Sequence, residues 1–291
     1  MSLSKYEVFR TIVEVGSLTK AAEKLNMTQS GVSYAVSTLE SELGFPLLNR
    51  VRSGIVLTSN GERILKHIEA ILREEELLRQ EVKLIKSIDA GIVRLGTLSS
   101  VSMQWLPGIL SKFNQLYPLI EVKTYLGCYD EMNEWISDGT VDIGFVCLPT
   151  SKPFEVIPLK KDKLVVLLPP EHPLGSQKRI SLTQLQDEPF IMPQWGGDDN
   201  IRRTLAQNKV RVQVKYELME ERTIFAMIER GMGVSVLPEL ILVNVPETIR
   251  IVELENPEYR VLGIAALSLK NLPPAAKRFA HCIQTWLREQ E

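Results

Sequence analysis

The sequence has little cysteine and no long apolar run. Cys128, Cys147 and Cys282 are far apart and include no Cys-x-x-Cys pair, so we expect neither a disulfide framework nor a thiolate metal site. Nowhere do about 18 apolar residues follow one another, and residues 1–16 lack a basic stretch before an apolar core. We therefore expect a soluble protein of the reducing cytoplasm, without an export signal or a membrane partner.

An excess of charge of one sign is also missing, because 34 basic residues stand against 36 acidic ones. Any contact with nucleic acid must therefore be local. With 44% apolar and 24% charged residues, the chain has the composition of a folded protein. Its 291 residues suffice for two or three compact units.

The motifs of common catalytic sites are absent as well. The sequence contains no Gly-x-Ser-x-Gly, no Gly-x-x-x-x-Gly-Lys and no His-Glu-x-x-His. Its three histidines, His67, His172 and His281, are scattered. We expect no enzyme, and hence no catalytic residues, no cofactor and no metal.

The first 58 residues are predicted to form short helices joined by tight turns. Apolar spacing indicates one helix that ends at Gly16 and a second over residues 18–25. Thr28 can cap a third helix, which ends at Gly44. This third helix buries one stripe, formed by Val32, Val36 and Leu39.

The opposite face of the third helix carries short or hydrogen-bonding side chains and no charge: Gln29, Ser30, Ser33, Tyr34 and Ser37. A solvated helix usually carries Lys and Glu at such positions. Two helices joined by a short turn, with such side chains early in the second, form the helix-turn-helix that enters the DNA major groove. The spacing alone also fits a plain three-helix core with a polar face.

Two β-prone runs around Ser53-Gly54 predict a hairpin over residues 47–58. Arg50 and Arg52 near its tip suit phosphate or minor-groove contact. Because residues 1–58 hold six basic and five acidic side chains, one copy should bind DNA weakly. We infer that two or more copies act together.

Residues 59–87 are predicted to form one long helix. Ser59 and Glu62 have the spacing of a capping box. A four-three alternation of apolar residues indicates a coiled-coil seam along a rod of roughly 40 Å. Pairing with a second subunit explains this stripe most economically, and packing within the chain is the alternative. The seam consists of Ile64, Ile68, Ile71, Leu78, Val82 and Ile85.

Residues 92–291 alternate strands and helices, which predicts parallel sheets covered by helices in two α/β lobes with a cleft between them. The expected domains are 1–58, a dimerisation helix at 59–88, and 89–291. Within the last, lobe I spans about 91–160 plus 267–291, and lobe II about 161–266. Enzymes and transport-type binding proteins also use two such lobes, so both classes are alternatives.

The chain resembles the LysR-type transcriptional regulators along its whole length. Residues 21–33 and 39–48 are similar to the helix-turn-helix signature of that family, and Leu57-Thr58 and Gly61 fit its wing and the following helix. Residues 139–145 and 231–238 resemble its effector-domain signatures. The resemblance implies a winged helix-turn-helix, a dimerising linker helix and an effector domain like the periplasmic binding proteins. It also implies a homodimer or homotetramer whose bending of double-stranded operator DNA responds to a small metabolite.

Matching positions assign the DNA contacts. We expect Gln29 to read a base while Ser30 and Ser33 mostly anchor phosphates. The wing of the family usually has a second arginine where this chain has Ser53, and Arg52 lies one residue earlier. The full set is Thr28, Gln29, Ser30, Ser33, Tyr34, Arg50 and Arg52.

The expected effector site begins where the first strand of the α/β region becomes a helix, since hydroxyls and amide groups there suit an anion. Ser99 and Ser100 follow from the resemblance, whereas Gln194, Trp195 and Arg202 are placed by our interpretation of the second lobe. The serines could instead simply cap the helix, and Arg202 could be a solvated charge. A small organic anion is one candidate effector, although Asp198-Asp199 disfavour strong anionic charge. The set is Thr97, Ser99, Ser100, Ser102, Gln194, Trp195 and Arg202.

Overall fold

A computed structural model describes residues 2–51, 54–85, 90–196 and 200–290. The chain forms two compact units, Met1–Ile85 and Lys86–Glu291. The first unit has the predicted order of three helices, a hairpin and a long helix. Its elements are α1 Leu3–Val15, α2 Leu18–Leu25, α3 Gln29–Leu43, β1 Leu48–Val51, β2 Gly54–Leu57 and α4 Ser59–Ile85.

Local signals account for the ends of these helices. Gly16 and Gly44 end α1 and α3 with φ of 66° and 83°, a backbone region that suits glycine. The Thr28 hydroxyl accepts from the amide N–H of Gly31 at 3.1 Å and caps α3. Strands β1 and β2 pair antiparallel, so the predicted hairpin is confirmed. The Arg50 backbone lies in β1, whereas Arg52 and Ser53 lie outside the described residues.

A half-buried carboxylate of α3 binds the start of the hairpin. Glu40 Oε1 accepts from the amide N–H of Leu47 at 2.7 Å and of Leu48 at 3.1 Å. The predicted cap at Ser59 is wrong by one residue, because the Thr58 hydroxyl accepts from Gly61 N at 2.9 Å and Ser59 is already helical. The Thr58 hydroxyl also donates to the carbonyl of Pro46 at 2.9 Å.

Helix α4 uses its apolar stripe in two ways. Ile68 and Leu72 are buried in the core of the first unit. Farther along, Ile71, Leu78 and Val82 are 42%, 65% and 41% exposed. Packing within this unit therefore accounts for only the beginning of the seam.

The second unit alternates strands and helices, with three short 3-10 turns between them. Its strands are β3 Ala90–Thr97, β4 Leu119–Leu126, β5 Ile143–Leu148, β6 Glu155–Leu168, β7 Arg179–Ile180, β8 Pro189–Pro193, β9 Gln213–Leu218, β10 Ser235–Pro238, β11 Arg250–Leu254 and β12 Tyr259–Ala266. Its helices are α5 Ser99–Gln104, α6 Leu106–Leu116, α7 Tyr129–Asp138, α8 Asn200–Gln207, α9 Glu221–Glu229 and α10 Pro274–Arg288.

The expectation of parallel sheets is wrong for half of this unit. Strands β4, β3 and β5 pair in parallel, as do β8 and β9. Strand β12, however, lies antiparallel to both β5 and β6, and the second half of β6 lies antiparallel to β10 and β11. The reason is that β6 is a 14-residue strand that pairs first in one lobe and then in the other. Because β12 pairs with β5, it belongs to the sheet of lobe I. The predicted limits had placed these residues in lobe II.

Gly61 generates a prediction about stability. A Cβ at this position would lie 2.2 Å from the carbonyl oxygen of Leu47, which is backbone and cannot swing away. Alanine normally favours a helix by about 1 kcal/mol over glycine, but here we expect Gly61→Ala to destabilise by about 1–3 kcal/mol. Calorimetric unfolding of the full chain would measure the effect. The neighbouring exposed Asn60→Ala is the control, and a stabilised Gly61→Ala variant would contradict the packing described here.

Candidate DNA-binding face and effector cavity

Helix α3 exposes the side chains that the sequence assigns to DNA. Gln29 and Ser30 are exposed, and Ser33 is half-buried. Tyr34 is 74% exposed, which is unusual for an aromatic side chain. The Thr28 hydroxyl caps the helix and lies 3.1 Å from Ser30 Oγ. An uncharged, hydrogen-bonding face near a helix start can pair with base edges and phosphates.

A cavity of about 300 Å³ lies between the two lobes of the second unit. Residues at the starts of α5, α7 and α9 meet there, together with the segment after β8 and the second residue of β12. Most of the lining is apolar. The lining residues are Leu98, Ser99, Ser100, Leu126, Gly127, Cys128, Tyr129, Glu131, Trp195, Met219, Glu220, Glu221, Ile241 and Arg260.

Arg260, which lines the cavity, belongs to a buried ion pair with Asp162. Arg260 is 2% exposed, and its guanidinium donates to Asp162 Oδ2 at 2.7 Å, to Ser100 Oγ at 2.8 Å and to the Tyr129 hydroxyl at 3.2 Å. The other oxygen of Asp162 accepts from Leu240 N at 3.0 Å. Burial lowers the pKa of Arg260, but the contacts with Tyr129 and Asp162 outweigh burial and raise it above its ordinary value. The guanidinium of Arg260 is matched by the carboxylate of Asp162.

Three carboxylates line the cavity, those of Glu131, Glu220 and Glu221. Glu131 Oε2 accepts from the amide N–H of Cys128 at 2.8 Å, which closes the N-terminus of α7. The Glu220 carboxylate accepts from the hydroxyl of Thr223. Glu221 lies in the first turn of α9. Since Arg260 is matched by Asp162, the lining carries an excess of negative charge.

The structure brings three of the seven expected effector residues to this cavity: Ser99, Ser100 and Trp195. Thr97 and Ser102 bond each other through their hydroxyls, 3.0 Å apart. The other two face elsewhere. Gln194 is exposed, and its backbone N–H donates to Leu218 O at 2.8 Å. Arg202 lines another surface pocket and pairs with Glu217 at 2.8 Å. Asp198 and Asp199 lie outside the described residues.

The charged residues Arg260, Asp162 and Glu220 were not predicted from the sequence as members of this site. Arg260 and Asp162 are 98 residues apart in the chain and meet only because β12 and β6 pair. One signal was available, namely a charged residue at the start of the apolar run 261–266. Nothing local marks Tyr129 or Glu220 as cavity residues.

Within the described ranges, no three His, Cys, Asp or Glu side chains are grouped so that they could hold a metal ion. None of the helices that the structure describes is both long and apolar enough to cross a bilayer.

Known proteins resemble the chain in both units. Residues 3–62 match the family described as bacterial regulatory helix-turn-helix protein, lysR family, and residues 87–288 match the LysR substrate binding domain. The uncharacterized HTH-type transcriptional regulator YvbU of Bacillus subtilis is 35% identical, with 96% of each chain covered. The probable HTH-type transcriptional regulator LrrA of Synechococcus elongatus is 33% identical, over 92% of this chain and 91% of that protein.

Solved structures agree with the fold. Full-length OxyR C199D from Pseudomonas aeruginosa superposes with a TM-score of 0.74 at 21% identity, over 99% of this chain and 95% of that one. Full-length CbnR in complex with its target DNA superposes with a TM-score of 0.72 at 19% identity, over 98% of this chain and 100% of that one. The sequence matches, which cover both units, show that the chain belongs to the LysR family of transcriptional regulators and is not an enzyme.

Proposed function

We propose that α3 reads operator DNA through Gln29, with Ser30, Ser33 and Tyr34 beside it, and that Arg50 in the wing binds phosphate. The observation that carries this proposal is the exposed, uncharged face of α3 in a unit whose remaining helices pack around two apolar clusters. Gln can form a bidentate pair with adenine, and Ser can serve phosphates or bases. The near-neutral charge of residues 1–58 requires more than one copy for useful affinity.

The second part of the proposal assigns the cavity between the lobes to a small-molecule effector. Its volume of about 300 Å³ is at the lower end of ligand pockets, and its apolar walls with a few polar groups are typical of them. Ser99, Ser100 and Trp195 line it. An effector that prefers one lobe arrangement shifts the protein toward it, and we propose that DNA binding or bending follows this shift.

Assembly and location complete the proposal. The exposed Ile71, Leu78 and Val82 on α4 are the surface through which we expect a second copy to pair, giving a homodimer or a homotetramer. The domains would then be 1–58 for DNA, 59–88 for dimerisation and 89–291 for the effector. We place the protein in the cytoplasm, where operator DNA is accessible.

Replacing the base-reading side chain should change specificity. Gln29→Ala removes a bidentate contact, so we expect the preference for the native operator base to fall by about 1–3 kcal/mol. Binding-shift titrations against operators that differ at single positions would measure this loss. Exposed Gln115 in α6 supplies the control, Gln115→Ala. An unchanged operator preference in Gln29→Ala would refute the assigned role.

Removing the wing cation should weaken binding to all sequences alike. A phosphate contact contributes about 0.9 to the slope of log affinity against log salt concentration. We expect Arg50→Ala to flatten that slope by about this amount, as measured by titrations at several salt concentrations. The exposed Arg288→Ala serves as the control. If the slope stays the same, the wing does not contact phosphate.

Filling the cavity should abolish sensing but not DNA binding. A ligand at about 100 times its Kd stabilises the folded state by about 2.7 kcal/mol. We expect a metabolite extract to raise the thermal midpoint of the native chain but not of Ser99→Phe, whose ring would occupy the cavity. Ser176→Phe, at an exposed serine outside the cavity, is the matched control. Equal responses of both variants would place the effector elsewhere.

A further inference from the structure

The size and walls of the cavity restrict the effector to a compact molecule. A volume of about 300 Å³ corresponds to about ten water molecules at about 30 Å³ each. Leu126, Met219 and Ile241 contribute apolar surface. Such a space suits one ring or a short branched chain with a single polar end.

The charges of the cavity disfavour an organic acid. Arg260 is the one positively charged side chain among the described lining residues, and its guanidinium already faces the buried Asp162 at 2.7 Å. Glu131, Glu220 and Glu221 add three carboxylates. Glu131 and Glu220 are exposed and Glu221 is half-buried, so these like charges repel one another across a partly open space, and a bound anion would add to the repulsion. A bound cation would relieve it.

Two aromatic residues add a second attraction for a cation. Trp195 lines the cavity at 8% exposure, and its indole N–H donates to Met219 O at 3.1 Å, which holds the ring in place. Tyr129 lines it at 4% exposure, with its hydroxyl held by Arg260. Aromatic rings attract a nearby ammonium group, and more strongly where water is excluded.

We propose that the effector is a compact apolar molecule with one protonated amine, and that Glu220 and Glu221 receive the amine. This inference rests on the proposed function of the cavity as the effector site. Acidic residues at the start of α9 also favour the helix dipole, so their presence alone identifies no ligand. This site differs from an ordinary helix start because the two carboxylates share one cavity with two aromatic rings and with an arginine that is already paired.

Three probes that differ only in their terminal group test the inference: 2-phenylethylamine, 2-phenylethanol and 3-phenylpropanoate. We expect the full-length protein to bind the amine at least about ten-fold more tightly than the acid, equivalent to about 1.4 kcal/mol. The uncharged alcohol should lie between them. Thermal midpoints and tryptophan fluorescence would measure binding, and added salt should weaken binding of the amine.

The double variant Glu220→Gln and Glu221→Gln should lose the preference for the amine. Glu247→Gln removes one charge from an exposed position that does not line the cavity and should keep the preference. Tighter or equal binding of the acid, or an amine preference that survives in the double variant, would overturn the inference while the proposed function stands. If none of the three probes binds, the inference fails, whereas the proposed function is judged by the response of the native chain and of Ser99→Phe to the metabolite extract.

Discussion

The second unit depends on one buried ion pair, Asp162 with Arg260. They are partners across β6 and β12, and both are less than a tenth exposed. Burying an unpaired charge costs several kcal/mol, so this pair is stable only because hydrogen bonds from Leu240 and to Ser100 and Tyr129 complete its surroundings. A register slip of one residue would leave both charges without these partners. The ion pair thus specifies how the two strands align.

The same pair connects the two lobes. Its contacts reach lobe I through Ser100 and Tyr129 and lobe II through the backbone of Leu240, while Arg260 itself borders the cavity. A molecule that hydrogen-bonds the Ser100 hydroxyl competes with the hydrogen bond that this hydroxyl accepts from Arg260 on β12. Binding of such a molecule can therefore shift the equilibrium between lobe arrangements, provided that the molecule prefers one arrangement over the other. Under the function proposed above, this contact is the means by which an effector in the cavity would alter DNA binding.

The first unit was predictable because its signals are local. Gly16, Thr28 and Gly44 lie next to the helix ends that they determine, and hairpin residues 48–57 pair within ten positions. In the second unit, local patterns predicted most strands, including the partly charged β4, but not the first half of β6. Residues 155–163 of β6 carry Lys160, Lys161 and Lys163 and lack the apolar pattern of a buried strand. Their strand character comes from pairing with β12, about 100 residues later, and local periodicity cannot indicate such pairing.

The cavity that we propose as the effector site shows the same division between local and long-range signals. Ser99 and Ser100 could be placed because a strand that turns into a helix is visible in sequence, and this local signal suggested an anion. Whether an anion fits depends on charges brought by other elements. Arg202 pairs with Glu217 on β9, while Glu220 and Glu221 at the start of α9 reach the cavity instead. Chain topology thus places the carboxylates of Glu220 and Glu221 at the cavity, and it places Arg202, the arginine that the sequence favoured, elsewhere. The cavity therefore favours a cation over an anion.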